Sequence, residues 1–355
     1  MKSLARIAVY GAAGYTGRQV AEELLRRGYT PVLAGRNERA LRAVAHALGG
    51  EIEVCEVQID QPQALGKLLV GCQVLINCAG PFGVTAEPLA AAAIKAGVHY
   101  LDIAATEQRT IQTLLEGFDA PARSAGVAVV PAMGFFGTLG DMLAHLVGTA
   151  LAPLDKLTVA YAIEGWVFTA GSRQTQQRLQ GEHFVYKHGR VVQGSGERSF
   201  STFSFPAPIG PLKVMEGYPL GEILTIPRHL QTQQIEALMA VATLQEINKP
   251  ELPQSEAVAA DLRSRSSFTI AVQAAAGSQE CFGVARGVDI YGITAPIIVE
   301  AVQRLLAPGA GRVGALAPSE AFESALFLDT LQPWDFSYNI SPCQDTAPVE
   351  SEGRL

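Results

Sequence analysis

The sequence predicts an α/β protein with a doubly wound parallel sheet, followed by a second α+β domain whose sheet is mostly antiparallel. Three observations carry this. From Ala5 to Val130, short apolar runs alternate with amphipathic stretches at a spacing of roughly 20–30 residues, the length of a βα unit. Most of those runs are continuously apolar, as strands covered on both faces are. After Pro131 the texture changes to strand-like segments with few helical stretches between them.

The first-half strands read as Ile7–Tyr10, Pro31–Ala34, Glu53–Val57, Val74–Ile76, Tyr100–Ile103 and Val127–Val130. Between them, Val20, Leu24 and Leu25 share one helical face, with Glu22, Glu23, Arg26 and Arg27 turned away. Gly28, Gly49 and Gly97 stand where helices stop. Right-handed crossovers then put helices on both faces of a parallel sheet. In the second half, Leu157–Ile163 and Ser267–Ala274 read as strands and Ser172–Gln180 as a polar helix. Phe200–Pro227 mixes β-formers with Pro and Gly. Ala295–Leu306 is again helical, with Ile298, Val302 and Leu305 on one face, and the tail from Thr346 is polar and frayed.

Composition narrows the function classes. The 355 residues are 48% hydrophobic and 17% charged, against about 25% charged in an average soluble domain. A disordered chain is excluded, and a net charge of −7 argues against a nucleic-acid surface. The longest uncharged stretch, Leu68–Ala86, is broken by Gly71, Gln73, Asn77, Gly80, Pro81 and Gly83. It therefore reads as loop, strand and loop rather than a membrane span. The apolar segment near the N-terminus is too short for a signal-peptide core, so a cytoplasmic protein is expected. Cys55, Cys72, Cys78, Cys281 and Cys343 are few, odd in number and without a C-x-x-C pair, so neither a disulfide framework nor a zinc site is expected. His183 and His188 lack the spacing of a metalloprotease helix and read as surface histidines. No metal is expected.

The chemistry starts at Gly11-Ala12-Ala13-Gly14-Tyr15-Thr16-Gly17, directly after the first strand and opening the first helix. A pyrophosphate needs backbone N–H groups at a helix N-terminus with no side chain in the way. Gly11 allows the tight turn, Gly14 lets phosphates approach, and Gly17 lets helix and strand pack closely. The loop is a G-x-x-G-x-x-G variant of the dinucleotide fingerprint, so the first domain is expected to be of Rossmann type. The second strand ends in Gly35-Arg36-Asn37, with no acid to hold a ribose 2′-hydroxyl. A guanidinium there suits a 2′-phosphate, which favours NADP over NAD. Asp60 is placed either for the adenine amine or as a cap on the helix that Pro62 opens. Cys78-Ala79-Gly80-Pro81-Phe82 ends the fourth strand and is expected to wall the nicotinamide site.

The short-chain dehydrogenases, which share a similar glycine loop, catalyse with Tyr-x-x-x-Lys. No lysine here has a tyrosine four residues before it. The sequence instead resembles the saccharopine dehydrogenase-like family of NADP-binding oxidoreductases, which includes trans-acting enoyl reductases. The resemblance rests on the glycine loop, Ala34-Gly35-Arg36, Ala79-Gly80-Pro81-Phe82, Ala96-Gly97-Val98-His99-Tyr100-Leu101-Asp102, Pro227-Arg228-His229 and Asp289-Ile290-Tyr291-Gly292-Ile293-Thr294-Ala295. It implies a dinucleotide-binding domain over residues 1–150, completed by 290–340. Residues 151–289 would form a domain for substrate binding or homodimerisation. The sequence departs from the family pattern after the sixth strand, where Phe136 replaces an acid and Leu139 a proline, and at Phe82, which replaces a tyrosine. The expected substrate is therefore less polar than an amino-dicarboxylate.

Hydride transfer needs positioning, a polarising donor and sometimes a proton source. The candidates are Asp102, His99 and Tyr291, with Tyr100 and Glu107 behind them; Arg173, Arg228 and His229 are candidates for an anionic substrate. The expected activity is NADP(H)-dependent hydride transfer to or from a C=N or C=C bond of a small, fairly apolar molecule. The alternative is an NADP-binding sensor or scaffold without turnover.

Overall fold

The computed structural model describes residues 5–178, 183–247, 264–309 and 311–345. The first part of the chain alternates strand and helix: β1 (Arg6–Tyr10), α1 (Tyr15–Arg26), β2 (Thr30–Gly35), α2 (Glu38–Ala47), β3 (Glu53–Glu56) and α3 (Pro62–Leu68). It continues with β4 (Cys72–Asn77), α4 (Phe82–Ala96), β5 (His99–Asp102), α5 (Gln108–Gly117), α6 (Asp119–Ala125), β6 (Ala128–Val130) and α7 (Phe135–Gly148). The second part carries β7 (Lys156–Glu164), α8 (Ala170–Arg178), β8 (Phe184–Lys187), β9 (Arg190–Gln193), β10 (Phe200–Phe205), β11 (Gly210–Glu216), α9 (Glu222–Thr225) and β12 (Gln234–Ala240). Then come α10 (Val241–Ile247), β13 (Ser267–Ala276), β14 (Gln279–Val288), α11 (Thr294–Leu305), β15 (Gly314–Ala315), two short helices and β16 (Ser337–Asp345).

The first sheet is parallel, in the order β15-β6-β5-β4-β1-β2-β3. Chain direction along the sheet reverses between β1 and β4, and ligands of such sheets sit in the crevice at the carboxyl ends beside that point. Both the loop after β1 and the loop after β4 open there. The expected doubly wound class is therefore present, with every strand but the edge strand β3 nearly continuously buried, as Val32–Ala34 and Val74–Ile76 are.

The second sheet runs β10-β11-β12-β7-β13-β14-β16, with β8 on β12 and β9 on β8. All its pairings are antiparallel except β12 with β7. One apolar core spans both sheets through α7, which packs on β13, β14 and α11. The start of α7 is kinked: Phe136 is extended and Gly137 has φ 92°. A Cβ at Gly137 would lie 2.5 Å from the Ala132 carbonyl oxygen, so only glycine fits the kink.

Three expectations are corrected. First, the C-terminal return to the first sheet ends with β15; Ser337–Asp345 leaves it and pairs antiparallel with β14 in the second sheet. The segment 290–340 therefore does not lie wholly with the first sheet. Second, Cys281 and Cys343 form a disulfide across that β14/β16 pairing, where no disulfide was expected. They are 62 residues apart in sequence, and only the strand pairing brings them together. Third, Asp60 does not cap α3: the N-cap is Gln61, and its side chain makes no capping bond. The polar helix begins earlier than expected, at Ala170, and its expected end at Gln180 lies outside the described residues, as does the tail from Thr346. Among the described residues no helix is long and apolar enough to cross a membrane.

Candidate active site

The glycine loop is shaped by backbone contacts. The Gly11 N–H donates to the Ala34 carbonyl at 2.8 Å, and Gly14 N–H to the Gly11 carbonyl at 2.9 Å. Gly11 has φ 85°, and a Cβ on it would lie 2.8 Å from the Ala79 nitrogen. At Gly17 a Cβ would sit 2.3 Å from the Gly11 oxygen. Gly14 caps α1 without a side chain, and the first turn holds no acid. A turn of this kind leaves room for a diphosphate at the positive end of the helix. Tyr15 packs edge-on to Tyr291 at 5.7 Å between ring centres, and Thr16 reaches the cavity described below. Ala13 is exposed at the loop's tip.

At the end of β2, Arg36 is exposed and pairs with no carboxylate among the described residues. Next to it, the Asn37 Oδ1 accepts from Ala40 N–H at 3.0 Å and caps α2, so that side chain already has a partner. Asp60 is exposed in the turn before α3.

The loop after β4 is held from beneath by a buried network. Asn77 Oδ1 accepts from Ala79 N–H, and its Nδ2 donates to Thr85 and Tyr100. Thr85 in turn donates to the Ala79 carbonyl at 2.7 Å. Tyr100 donates to Asp102 Oδ2 at 3.0 Å, while Oδ1 accepts from the N–H groups of Ala104 and Ala132, both at 2.9 Å. Burial raises the Asp102 carboxyl from 3.8 to about 6 against the pull of those donors. Asp102 is fully buried and absent from the cavity wall, so it clamps the ends of β5 and β6 together rather than facing a ligand.

Replacing Asp102 by asparagine keeps Oδ1 for both N–H groups and is expected to leave the fold intact. Alanine leaves those donors unpaired and is expected to lose about 2–4 kcal/mol. Because the folded carboxyl ionises at higher pH than the unfolded one, stability carried by the protonated form is lost as pH rises from 3.8 to about 6. The asparagine protein is expected to lack that decline, read by urea unfolding across the range.

His99 opens β5 and so lies at the opposite edge of the sheet, where its Nδ1 accepts from Ala128 N–H at 2.9 Å and burial lowers its pKa. Arg228 is bound to Glu320 and the Ala315 carbonyl, and His229 to Asp141 and His145. None of these lines the cavity, and neither does Arg173.

That cavity, of about 190 Å³, opens between the two sheets at the carboxyl edge of the first. Cys78, Gly80 and Phe82 form one wall; Phe135, Phe136, Trp166, Phe168 and Tyr218 make the apolar remainder. Phe136 stacks tilted on Trp166 at 5.5 Å, and Trp166 edge-on to Phe168 at 4.9 Å. Burial pushes the Cys78 thiol up, out of the range of a reactive thiolate. Among the described residues, no Asp, Glu, Lys, Arg or His lines it. Leu139, expected to help make the pocket apolar, is buried in the core instead. Glu107 stands behind the wall, its Oε2 accepting from Gly83 N–H at 2.6 Å at the start of α4, with burial raising its pKa.

Tyr291 does face the cavity. Its hydroxyl accepts from Trp166 Nε1 at 3.2 Å and Thr169 N–H at 3.3 Å, and lies 2.9 Å from Ser172 Oγ. It ties segment 166–172 across the opening. Of the residues predicted from sequence, the structure thus brings together Thr16, Cys78, Gly80, Phe82 and Tyr291. Trp166, Phe168, Tyr218, Thr175 and Gln176 were not foreseen. The density of aromatics at Trp166–Phe168, just past a strand end, was the one available signal.

A parallel sheet with this strand order, a side-chain-free helix start and a pocket beside it define a fold of the dinucleotide-binding type. Residues 7–130 match the family model for the saccharopine dehydrogenase NADP binding domain, so this part of the chain is an NADP-binding domain. The chain is 26% identical over 208 residues to a saccharopine dehydrogenase-like oxidoreductase from Bos taurus, covering 50% of this chain and 48% of that protein. It is 30% identical over 144 residues to a trans-acting enoyl reductase from Mycobacterium ulcerans, covering 39% of this chain and 34% of that protein. The chain thus spans about half the length of the bovine relative and about a third of the mycobacterial one. In fold it is similar to a saccharopine dehydrogenase (L-Glu forming) from Saccharomyces cerevisiae, with TM-score 0.67, 11% identity, and coverage of 95% of this chain and 100% of that one.

Proposed function

We propose that the protein is an NADP(H)-dependent oxidoreductase that moves a hydride to or from a C=N or C=C bond of a small, uncharged, largely apolar substrate. The observation that carries this is a cavity without charged residues among the described residues that line it, walled by Gly80 and Phe82 at the carboxyl edge of an NADP-binding sheet. An amino-dicarboxylate would enter it without a cationic partner, at a cost of several kcal/mol per buried charge. The oxidoreductase names of the bovine and mycobacterial relatives support the reaction class.

The backbone of Gly11, Ala13, Gly14, Tyr15, Thr16 and Gly17 would hold the diphosphate. Arg36, flanked by Gly35, would hold the 2′-phosphate. Asp60 would lie by the adenine, and Cys78, Ala79, Gly80, Pro81 and Phe82 by the nicotinamide. When bound, the dinucleotide would supply or accept the hydride; the chain's part is to orient the substrate and exclude water.

Arg36→Ala is expected to weaken NADPH binding about 10–100-fold and leave NADH binding within about twofold, since a charge-assisted pair to phosphate contributes roughly 1.5–3 kcal/mol. Calorimetric titration with both dinucleotides reads this; equal losses for both would refute the placement. Screening enones and imines for NADPH oxidation tests the activity. NADPH binding with no oxidation by any of them would favour the sensor reading.

A further inference from the structure

We propose that the hydroxyl of Tyr218 is the hydrogen-bond donor that recognises the polar atom of an uncharged carbonyl- or imine-type substrate in this cavity. This rests on the pocket reading above and names the residue that gives it selectivity.

Several of the other hydroxyls that line the cavity are already bonded within the protein. Tyr291, Ser172 and Thr169 hold one another, and Thr294 accepts from Phe135 N–H and donates to the Ile290 carbonyl. The Tyr218 side chain is partly buried and lines the same cavity, yet its hydroxyl has no hydrogen-bond partner among the described residues. A polar group left unpaired in apolar surroundings costs free energy unless a ligand or water meets it. Burial, with the nearby Tyr291 hydroxyl adding to it, pushes the phenol up to about 12. It therefore stays protonated, and a donor, throughout the neutral range.

The backbone under Tyr218 is fixed by β12 and by the first half of the chain. Tyr218 N–H donates to the Ala237 carbonyl at 3.0 Å. Two residues on, Gln108 Nε2 donates to the Leu220 carbonyl at 2.9 Å, and Gly221 N–H donates to the Ala105 carbonyl at 2.9 Å. A Cβ at Gly221 would lie 2.5 Å from Ile111 Cδ1, so the loop sits tightly on α5. The donor is thus held on a rigid support, as recognition of a single polar atom requires.

The test compares two probes of nearly equal shape, trans-cinnamaldehyde and trans-β-methylstyrene, titrated into the full-length protein saturated with NADP⁺, so that no reduction occurs. The ratio of their dissociation constants isolates the carbonyl. Tyr218→Phe is expected to reduce the preference for the aldehyde about 3–10-fold, the size of one neutral hydrogen bond. Thr106→Val, at another hydroxyl on the wall, is expected to leave the ratio unchanged. The melting temperature of Tyr218→Phe is expected to match the parent, because no protein hydrogen bond is removed.

A parental ratio in Tyr218→Phe, loss of preference in Thr106→Val alone, no binding of the aldehyde to the parent protein, or a melting point several degrees lower would each overturn the assignment. The two readings fail separately. If no enone or imine oxidises NADPH but the ratio still collapses, the oxidoreductase reading falls and the role of Tyr218 stands.

Discussion

Gly17→Val is expected to prevent the chain from holding its native fold. A Cβ at this position would lie 2.3 Å from the Gly11 carbonyl oxygen and 2.9 Å from the Ala12 Cα. Both are backbone atoms, and neither can turn aside as a side-chain tip would. Gly11 is itself wedged against Ala79, so the turn cannot retreat. Relief requires α1 to lift from β1, which exposes Val20, Ala21 and Leu24, all fully buried. Exposing even two such side chains costs about 3–6 kcal/mol, against a total stability of about 5–15 kcal/mol for a typical domain. Circular dichroism melting reads the result, and a soluble variant with the parental melting point would contradict it. Gly14→Ala is the informative contrast. Its Cβ would meet only the Gly11 oxygen, at 3.2 Å, so the fold should survive while NADPH binding is lost.

Glu222→Ala should cost about 3–5 kcal/mol, the range for breaking a buried polar network by removing one partner. Glu222 is fully buried in α9, where its Oε1 accepts from the Tyr161 hydroxyl and, at 3.1 Å, from Gly137 N–H. Gly140 passes so close that a Cβ there would lie 2.8 Å from the same oxygen. Alanine leaves both donors without an acceptor and opens a void beside the kink that presents Phe135 and Phe136 to the cavity. Glutamine keeps the acceptor and should lose far less.

The pH dependence provides a second reading. Burial raises the Glu222 carboxyl above 4.5. Its contribution is therefore largest below pH 4.5 and declines as pH rises through the folded value, a decline that glutamine removes. Urea unfolding of the three proteins across pH measures both effects, and an alanine variant as stable as the parent would refute the network's importance.

The first sheet was legible because its strands are contiguous apolar runs and its turns are marked by glycines with a local reason to be there. Gly11 and Gly17 announce a close approach that the structure then requires. His99 shows where such reading stops. Residues at the two ends of one strand look alike in sequence, yet His99 opens β5 and Asp102 closes it, and only the latter reaches the edge where ligands sit. Even there, Asp102 is turned inward by Ala104, Ala132 and Tyr100. Tyr218 and Trp166 left no periodic signal, because they arrive at the cavity through loops whose course is set by distant partners such as Gln108 and Tyr291. The Cys281–Cys343 bond was hidden for the same reason: its partners become neighbours only once β16 crosses to the second sheet.

That crossing has a mechanical consequence. The chain goes over to the second sheet after α7, comes back with α11, and goes over again with β16, where the disulfide fastens it. Two units joined by a pair of connections can swing about them like a door. A third connection, bonded in place, works like a latch and stiffens the swing, so the barrier to wide opening rises. The segment from Trp166 to Ser172, which walls the cavity, is fastened in its turn by one phenol, that of Tyr291.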